Sequence, residues 1–240
     1  MKTIRLYGKN PVRERMKTNP GSIKKLFLQR QVDLSDVVRE AKNAELRFES
    51  LDKNEFKKLC GDVHSQGVFA EVEEFGYMPY EKIVKLCLSG KTIPVFLDGI
   101  TDPQNLGSII RTLACLGGFS LVLPEHGSAD VTETVLRVAN GGENYIGISK
   151  VTNIATTIKS LRKKGVCIVG ALVSGKKLEL LENDKNAPIA LVVGSEGKGI
   201  RPGVSLLLDE KIMLPMEGAE LSYNAAVAAA IFCHEIRKKR

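Results

Sequence analysis

Asn105 and Arg111 stand six residues apart in the stretch FLDGITDPQNLGSIIRTLACLGG (96–118). An apolar run ends at Asp98-Gly99 and turn-forming residues follow. Leu106, Ile109, Ile110 and Leu113 then recur at i, i+3, i+4 and i+7, the spacing of an amphipathic helix. Asn105 falls at the expected helix N-terminus, as its cap, where free N–H groups and the macrodipole favour an anion. Arg111 lies about 140° from Leu106 at ~100° per residue, outside the buried stripe. Gly107 lets another backbone approach closely. An ordinary capped helix with a surface arginine fits the same pattern.

Two further stretches follow strand-like runs. LVVGSEGKGI (191–200) carries three glycines in six residues. It is not a P-loop, because Gly197-Lys198 is followed by Gly199 rather than Ser or Thr, and its G-x-x-G-x-G spacing is not the dinucleotide fingerprint. Glu196 is the one acid in this glycine-rich loop. Gly194 is expected to need φ > 0 and to leave room for a ligand; a plain turn is the alternative. LPMEGAELSYNAAVAAAIFCHEI (214–236) runs through a loop into an Ala-rich helix expected to begin near Tyr223, with Ser222 as N-cap. Its alanines permit close packing of a backbone or a second subunit, and high helix propensity accounts for them equally.

The 240 residues suffice for one large or two small domains. No apolar run approaches the roughly 20 residues of a membrane span. The basic start is open to reading as a transit peptide, but Tyr7-Gly8 and the helix-like stretch after it read as the start of a domain. Five cysteines, without a C-x-x-C and in apolar contexts, point to a reducing, cytoplasmic compartment. The three histidines are scattered, so no metal site is expected. The net charge is +7, and residues 1–30 alone hold nine Lys/Arg against Glu14. That local excess favours nucleic acid as partner over a merely solvated face.

Residues 1–75 read as a small α/β sandwich, with strands at 23–29, within 47–51 and at 67–75 and helices at 34–45 and 53–60. Asp33 or Ser35 is the expected cap of the 34–45 helix. Residues 76–92 break the rhythm and are expected to be a linker. From residue 94, apolar strands at 94–98, 119–123, 166–171, 189–193 and 211–214 alternate mostly with helical patterns. That is a parallel sheet covered on both faces. Ligands in such sheets bind at the strands' carboxyl ends, where the three loops sit.

The three stretches, in this order and spacing, resemble the SpoU family of RNA ribose 2′-O-methyltransferases, in the knotted SPOUT superfamily. The resemblance covers residues 94–237. YGKNPVRE (7–14) and HSQGVFA (64–70) are similar to the small substrate-binding domain of members that modify large-subunit ribosomal RNA. The resemblance implies domains at 1–75 and 93–240, a trefoil knot in the second, S-adenosylmethionine as cofactor and a homodimer. It places Asn105 and Arg111 on the target ribose and its phosphate. Gly194, Leu214 and Tyr223, with Met216 nearby, match cofactor contacts. Glu196, Ser222 and Asn224 match polar active-site positions. The usual S-L-N-x-S reads Ser222-Tyr223-Asn224-Ala225-Ala226 here, with Tyr for Leu and Ala226 for a frequent Ser. The implied target is a guanosine ribose of 23S-type ribosomal RNA. Transfer RNA is the rival substrate, and a non-catalytic RNA-binding or ribosome-assembly factor is the rival class.

Overall fold

The computed structural model describes residues 2–61, 63–177, 187–218 and 221–239. Residues 219–220 of the third stretch and Arg240 of the basic C-terminus lie outside the described residues.

The first sheet is built from β1 (Thr3–Tyr7), β2 (Ile23–Gln29), β3 (Glu49–Leu51) and β4 (Val68–Glu73), in the order β1-β4-β2-β3. β1 and β2 run antiparallel to β4, and β3 runs parallel to β2. Alternation along the strands sorts the side chains onto two faces. Leu26, Leu28, Val68 and Ala70 join Val12 and Met16 of α1 (Lys9–Thr18) and Val37 and Ala41 of α2 (Ser35–Asn43). On the other face Phe69 stacks on Phe27 at 4.5 Å and meets Phe56 of α3 (Lys53–Cys60) edge-on at 5.5 Å. α2 is preceded by Leu34 without a side-chain cap, while Asp33 accepts from the Ser35 N–H at 3.2 Å.

Within the stretch expected as a linker, Tyr80–Leu88 forms helix α4. Its Ile83, Val84 and Cys87 are buried with Phe96, Val122 and Val192 of the second sheet, so it is a layer of that sheet. The second sheet comprises β5 (Ile93–Asp98), β6 (Phe119–Pro124), β7 (Gly147–Val151), β8 (Cys167–Leu172), β9 (Lys176–Lys177), β10 (Ile189–Gly194) and β11 (Glu210–Met213). Their order is β7-β6-β5-β10-β8-β11-β9, parallel throughout. Because both faces are covered, the central strands are apolar at nearly every position. Val95 and Leu97 pack beneath α5 (Pro103–Leu116), α6 (Glu133–Ala139) and α9 (Ala225–Lys238). Phe96, between them, faces α4 and α7 (Ile154–Arg162), and Val204 of the short α8 (Pro202–Ser205) joins the same cluster. Gly107 fulfils its expected role: a Cβ there would fall 2.5 Å from Val138 and 2.9 Å from the Val135 carbonyl oxygen.

Gly141 seats the first sheet's layer on the second, and Gly142 seats the same turn on α5. A Cβ at Gly141 would lie 2.7 Å from Glu14 Cβ of α1, and one at Gly142 would lie 3.0 Å from Arg111 Cα of α5. Next to them, Glu143 accepts from Arg15 Nη2 at 3.3 Å and from Asn144 Nδ2 at 3.0 Å, with both charged side chains buried. Arg15 Nε and Glu143 Oε2 make no hydrogen bond. Burial holds the Glu143 carboxyl above its ordinary range despite the arginine. No helix among the described residues is long and apolar enough to cross a membrane.

Candidate active site

β10 enters the sheet between β5 and β8, although its sequence neighbours lie to one side. A parallel sheet opens a crevice at such a reversal, beyond the carboxyl ends of its strands. The three stretches leave β5, β10 and β11 at this edge.

The first loop turns at Gly99, where φ is +88°. Asp102, not Asn105, caps α5: its side chain accepts from the Gln104 N–H at 2.9 Å. Asn105 therefore lies in the first turn and is free to point its amide elsewhere. Its Nδ2 donates to Glu196 Oε1 at 3.0 Å, and its Oδ1 accepts from Asn224 Nδ2 at 2.9 Å. Asn224 is the N-cap of α9, in place of the expected Ser222; its Oδ1 accepts from the Ala226 and Val227 N–H groups at 2.9 and 3.3 Å. Asn224 Nδ2 and the Ala225 N–H also donate to Glu196 Oε1, the latter at 3.1 Å. One carboxylate oxygen thus gathers two amides and a backbone N–H at a helix N-terminus, which suits its charge. Residues from three loops, up to 119 positions apart, form one polar cluster.

The second loop is closed on itself. Ser195 and Gly199 exchange backbone hydrogen bonds at 3.2 and 2.9 Å. Gly194 is not among the glycines with positive φ, contrary to the expectation; Gly199, at +62°, is. What excludes a side chain at Gly194 is the returning loop, since a Cβ would lie 2.2 Å from the Gly199 carbonyl carbon and 2.3 Å from Ile200 N.

A cleft of about 430 Å³ opens beside this loop. Gly194, Leu214, Met216 and Tyr223 all line it, as do Glu196 and Ser222. Ala171–Val173 at the carboxyl end of β8, and Ala228 and Phe232 of α9, add to its apolar wall. Strand-end position is the signal that would have pointed to these residues of β8. A mainly apolar cleft of this size with a few polar groups on its wall fits a nucleoside-bearing ligand. Arg111 is exposed, lines neither this cleft nor the one on the loop's other side, and makes no hydrogen bond or ion pair among the described residues. The structure does not bring it into the cluster.

The model for the SpoU rRNA Methylase family matches residues 92–234, and that for RNA 2′-O ribose methyltransferase substrate binding matches residues 5–78. The chain belongs to the SpoU rRNA methylase family. It is an S-adenosylmethionine-dependent RNA methyltransferase. It is 32% identical over 239 residues to a chain named as a TrmH family tRNA/rRNA methyltransferase, YacO of Bacillus subtilis, covering 98% of this chain and 95% of that one. Among solved structures, a TrmH family RNA methyltransferase from Porphyromonas gingivalis superposes with a TM-score of 0.79 at 24% identity. The SpoU methyltransferase AviRb from Streptomyces viridochromogenes, solved with AdoMet, does so with a TM-score of 0.79 at 22% identity. Each of these two alignments covers 99% of this chain and 90% of the other. At those identities the superpositions bear on the fold, which is that of SpoU enzymes with their N-terminal substrate-binding domain.

The basic N-terminal stretch looks different once folded. Lys2, Arg13, Arg15, Lys17, Lys24 and Lys25 pair with Glu74, Asp36, Glu143, Glu14, Glu73 and Glu71. Across residues 1–75, fifteen Lys/Arg stand against twelve Asp/Glu, +3 of the chain's +7.

Proposed function

We propose that this SpoU-family protein methylates a ribose 2′-OH of RNA, on a guanosine of 23S-type ribosomal RNA. The observation that carries the reading is the Asn105–Glu196–Asn224 cluster, whose Glu196 lines the apolar cleft. S-adenosylmethionine, when bound, supplies a methyl group on a sulfonium. Gly194, Leu214, Met216 and Tyr223 would hold it, with the small side chains of α9 as floor. Ala226 takes part here only through its backbone N–H to Asn224, so the missing serine hydroxyl leaves the cap intact.

Asn105 still has one amide hydrogen and one oxygen lone pair beyond its bonds to Glu196 and Asn224. Those are the groups that would orient the ribose hydroxyls. Glu196 fixes both asparagines through Oε1, leaving Oε2 outside those bonds. A guanidinium offers donors and no acceptor, so Arg111 serves the target phosphate and developing oxygen charge as an electrostatic clamp rather than as a base. Because it stands apart from the cluster of its own chain, we assign the working form to a homodimer. Exposed Val227 and Tyr223 supply apolar surface beside the site for that contact. The domain division, expected at 1–75 and 93–240 and with α4 counted to the second domain, and the trefoil knot belong to the same proposal.

What supports ribosomal RNA over transfer RNA is the resemblance of residues 7–14 and 64–70 to the small domain of members that modify large-subunit ribosomal RNA. The test is transfer of label from S-adenosylmethionine to in vitro transcribed 23S rRNA and to bulk tRNA, followed by nucleoside analysis. Labelled 2′-O-methylguanosine from the rRNA is the expected product. Cofactor binding without transfer to either RNA would favour the assembly-factor reading.

A further inference from the structure

A second cleft, of about 450 Å³, lies on the opposite side of the 195–199 loop from the apolar one. Asp98, Asp102, Asn105 and Arg201 wall it, together with the loop itself. Its acids are already engaged. Asp98, whose side chain is fully buried, accepts from the Arg201 backbone N–H at 2.8 Å and from Nε at 2.6 Å, and pairs with Nη2 at 2.6 Å. Asp102 caps α5, and Glu196 Oε1 holds the asparagines. The groups left over are cationic. Arg201 is 57% exposed in its side chain, and its Nη1 makes no hydrogen bond among the described residues. Lys198, also on the cleft wall, makes no ion pair there among the described residues.

A guanidinium gripped along its Nε–Nη2 edge cannot swing, so its remaining N–H groups point in one fixed plane. A planar donor set of this kind fits phosphate oxygens. We propose that the second cleft receives the target nucleotide of the RNA, that Arg201 binds its phosphodiester, and that Asp98 is a positioning residue acting through Arg201. Glu196, which holds Asn105, then lies on the wall shared by the two clefts, with RNA on one side and the methyl donor on the other. The inference rests on the reading of the protein as an RNA methyltransferase acting on ribose.

The shared loop makes the test decisive. A mere brace between β5 and the second loop would, when lost, disturb both clefts; a nucleotide contact would affect RNA alone. Arg201→Gln, Arg201→Lys and Asp98→Asn are compared with the wild type for KM and kcat on 23S rRNA transcript and bulk tRNA, and for S-adenosylmethionine affinity by calorimetry. Arg201→Gln should raise the RNA KM about tenfold or more, the size of one lost hydrogen bond to a charged group. Its cofactor Kd should stay within about twofold. Arg201→Lys should recover only part of the loss, and Asp98→Asn should raise the RNA KM by a smaller factor. Equal weakening of RNA and cofactor in Arg201→Gln would reduce the pair to a brace and overturn the proposal. An unchanged RNA KM in Arg201→Gln would overturn it too, and an unchanged one in Asp98→Asn would remove the positioning role. No transfer by the wild type to either RNA would instead sink the functional reading, and this inference with it.

Discussion

The N-terminal sheet and the carboxyl edge of the parallel sheet handle charge in opposite ways. In the first, six of the nine basic residues of the opening stretch face carboxylates, and Arg15 is buried against Glu143. At the second, the acids are engaged by asparagines, backbone N–H groups and Arg201, while Lys198 there, and Arg111 farther along α5, stay unpaired among the described residues. A run of cations along a sequence thus says little about where an anionic partner binds. What remains unpaired after folding says more.

The largest effect should come from uncovering a buried charge at the seam. Glu143→Leu leaves Arg15 buried without its carboxylate, with only Ser22 Oγ at 3.5 Å beside it, and should cost about 3–5 kcal/mol in denaturant unfolding. Arg15→Met should cost less, because Glu143, already raised by burial, can take up a proton whereas an arginine cannot discharge. A carboxyl raised in the folded state is most favourable below its ordinary range, and that advantage is lost as pH rises through the raised value. The deficit of Arg15→Met should therefore grow from acid toward neutral pH. Equal costs for the two variants would contradict this account of the seam.

Under the proposed role, Arg111→Ala should lower kcat by about 10²–10³-fold, the scale of one preorganised donor. Cofactor affinity should hold, since Arg111 lines neither cleft. A variant keeping most of its kcat would end the assigned role. Gly194→Val should weaken S-adenosylmethionine binding by about tenfold or more, because the loop at Gly199 must move to admit any Cβ. Unchanged affinity in a folded variant would move the cofactor elsewhere.

The smallest effect is expected from the paired cations. Lys24→Ala with Lys25→Ala should change the log–log salt slope of RNA binding by less than the about 0.7–0.9 of one phosphate contact. Arg111→Ala should change it by a full contact. The reverse order would restore the N-terminal stretch as the RNA face. Removing residues 1–90 is a poorer probe, since it also strips α4 from the parallel sheet.

Much of this was legible in the sequence. β5, β6, β8, β10 and β11 are near-continuous apolar runs because both their faces are covered, and all three loops follow such strands. β7 was missed because Gly147, Ser149 and Lys150 interrupt it at a sheet edge, and β9 because it is two residues long. Ser222 and Asn224 are both good caps, and Glu196, brought in from another loop, accompanies the choice of Asn224. The Asp98–Arg201 clamp joins residues 103 apart, which no local period can show. Residues 76–92 lack the apolar alternation of the strands, yet Ile83, Val84 and Cys87 put a helix there against the parallel sheet.

The central claim is that the cluster at the shared loop methylates a ribose of ribosomal RNA. The most direct measurement is a map of 2′-O-methyl groups in cellular RNA with the gene intact, deleted, and restored as Arg111→Ala. The account predicts one 2′-O-methylguanosine in 23S rRNA that disappears on deletion and does not return with the arginine variant. An unchanged rRNA map, or a site lost from tRNA instead, would contradict it.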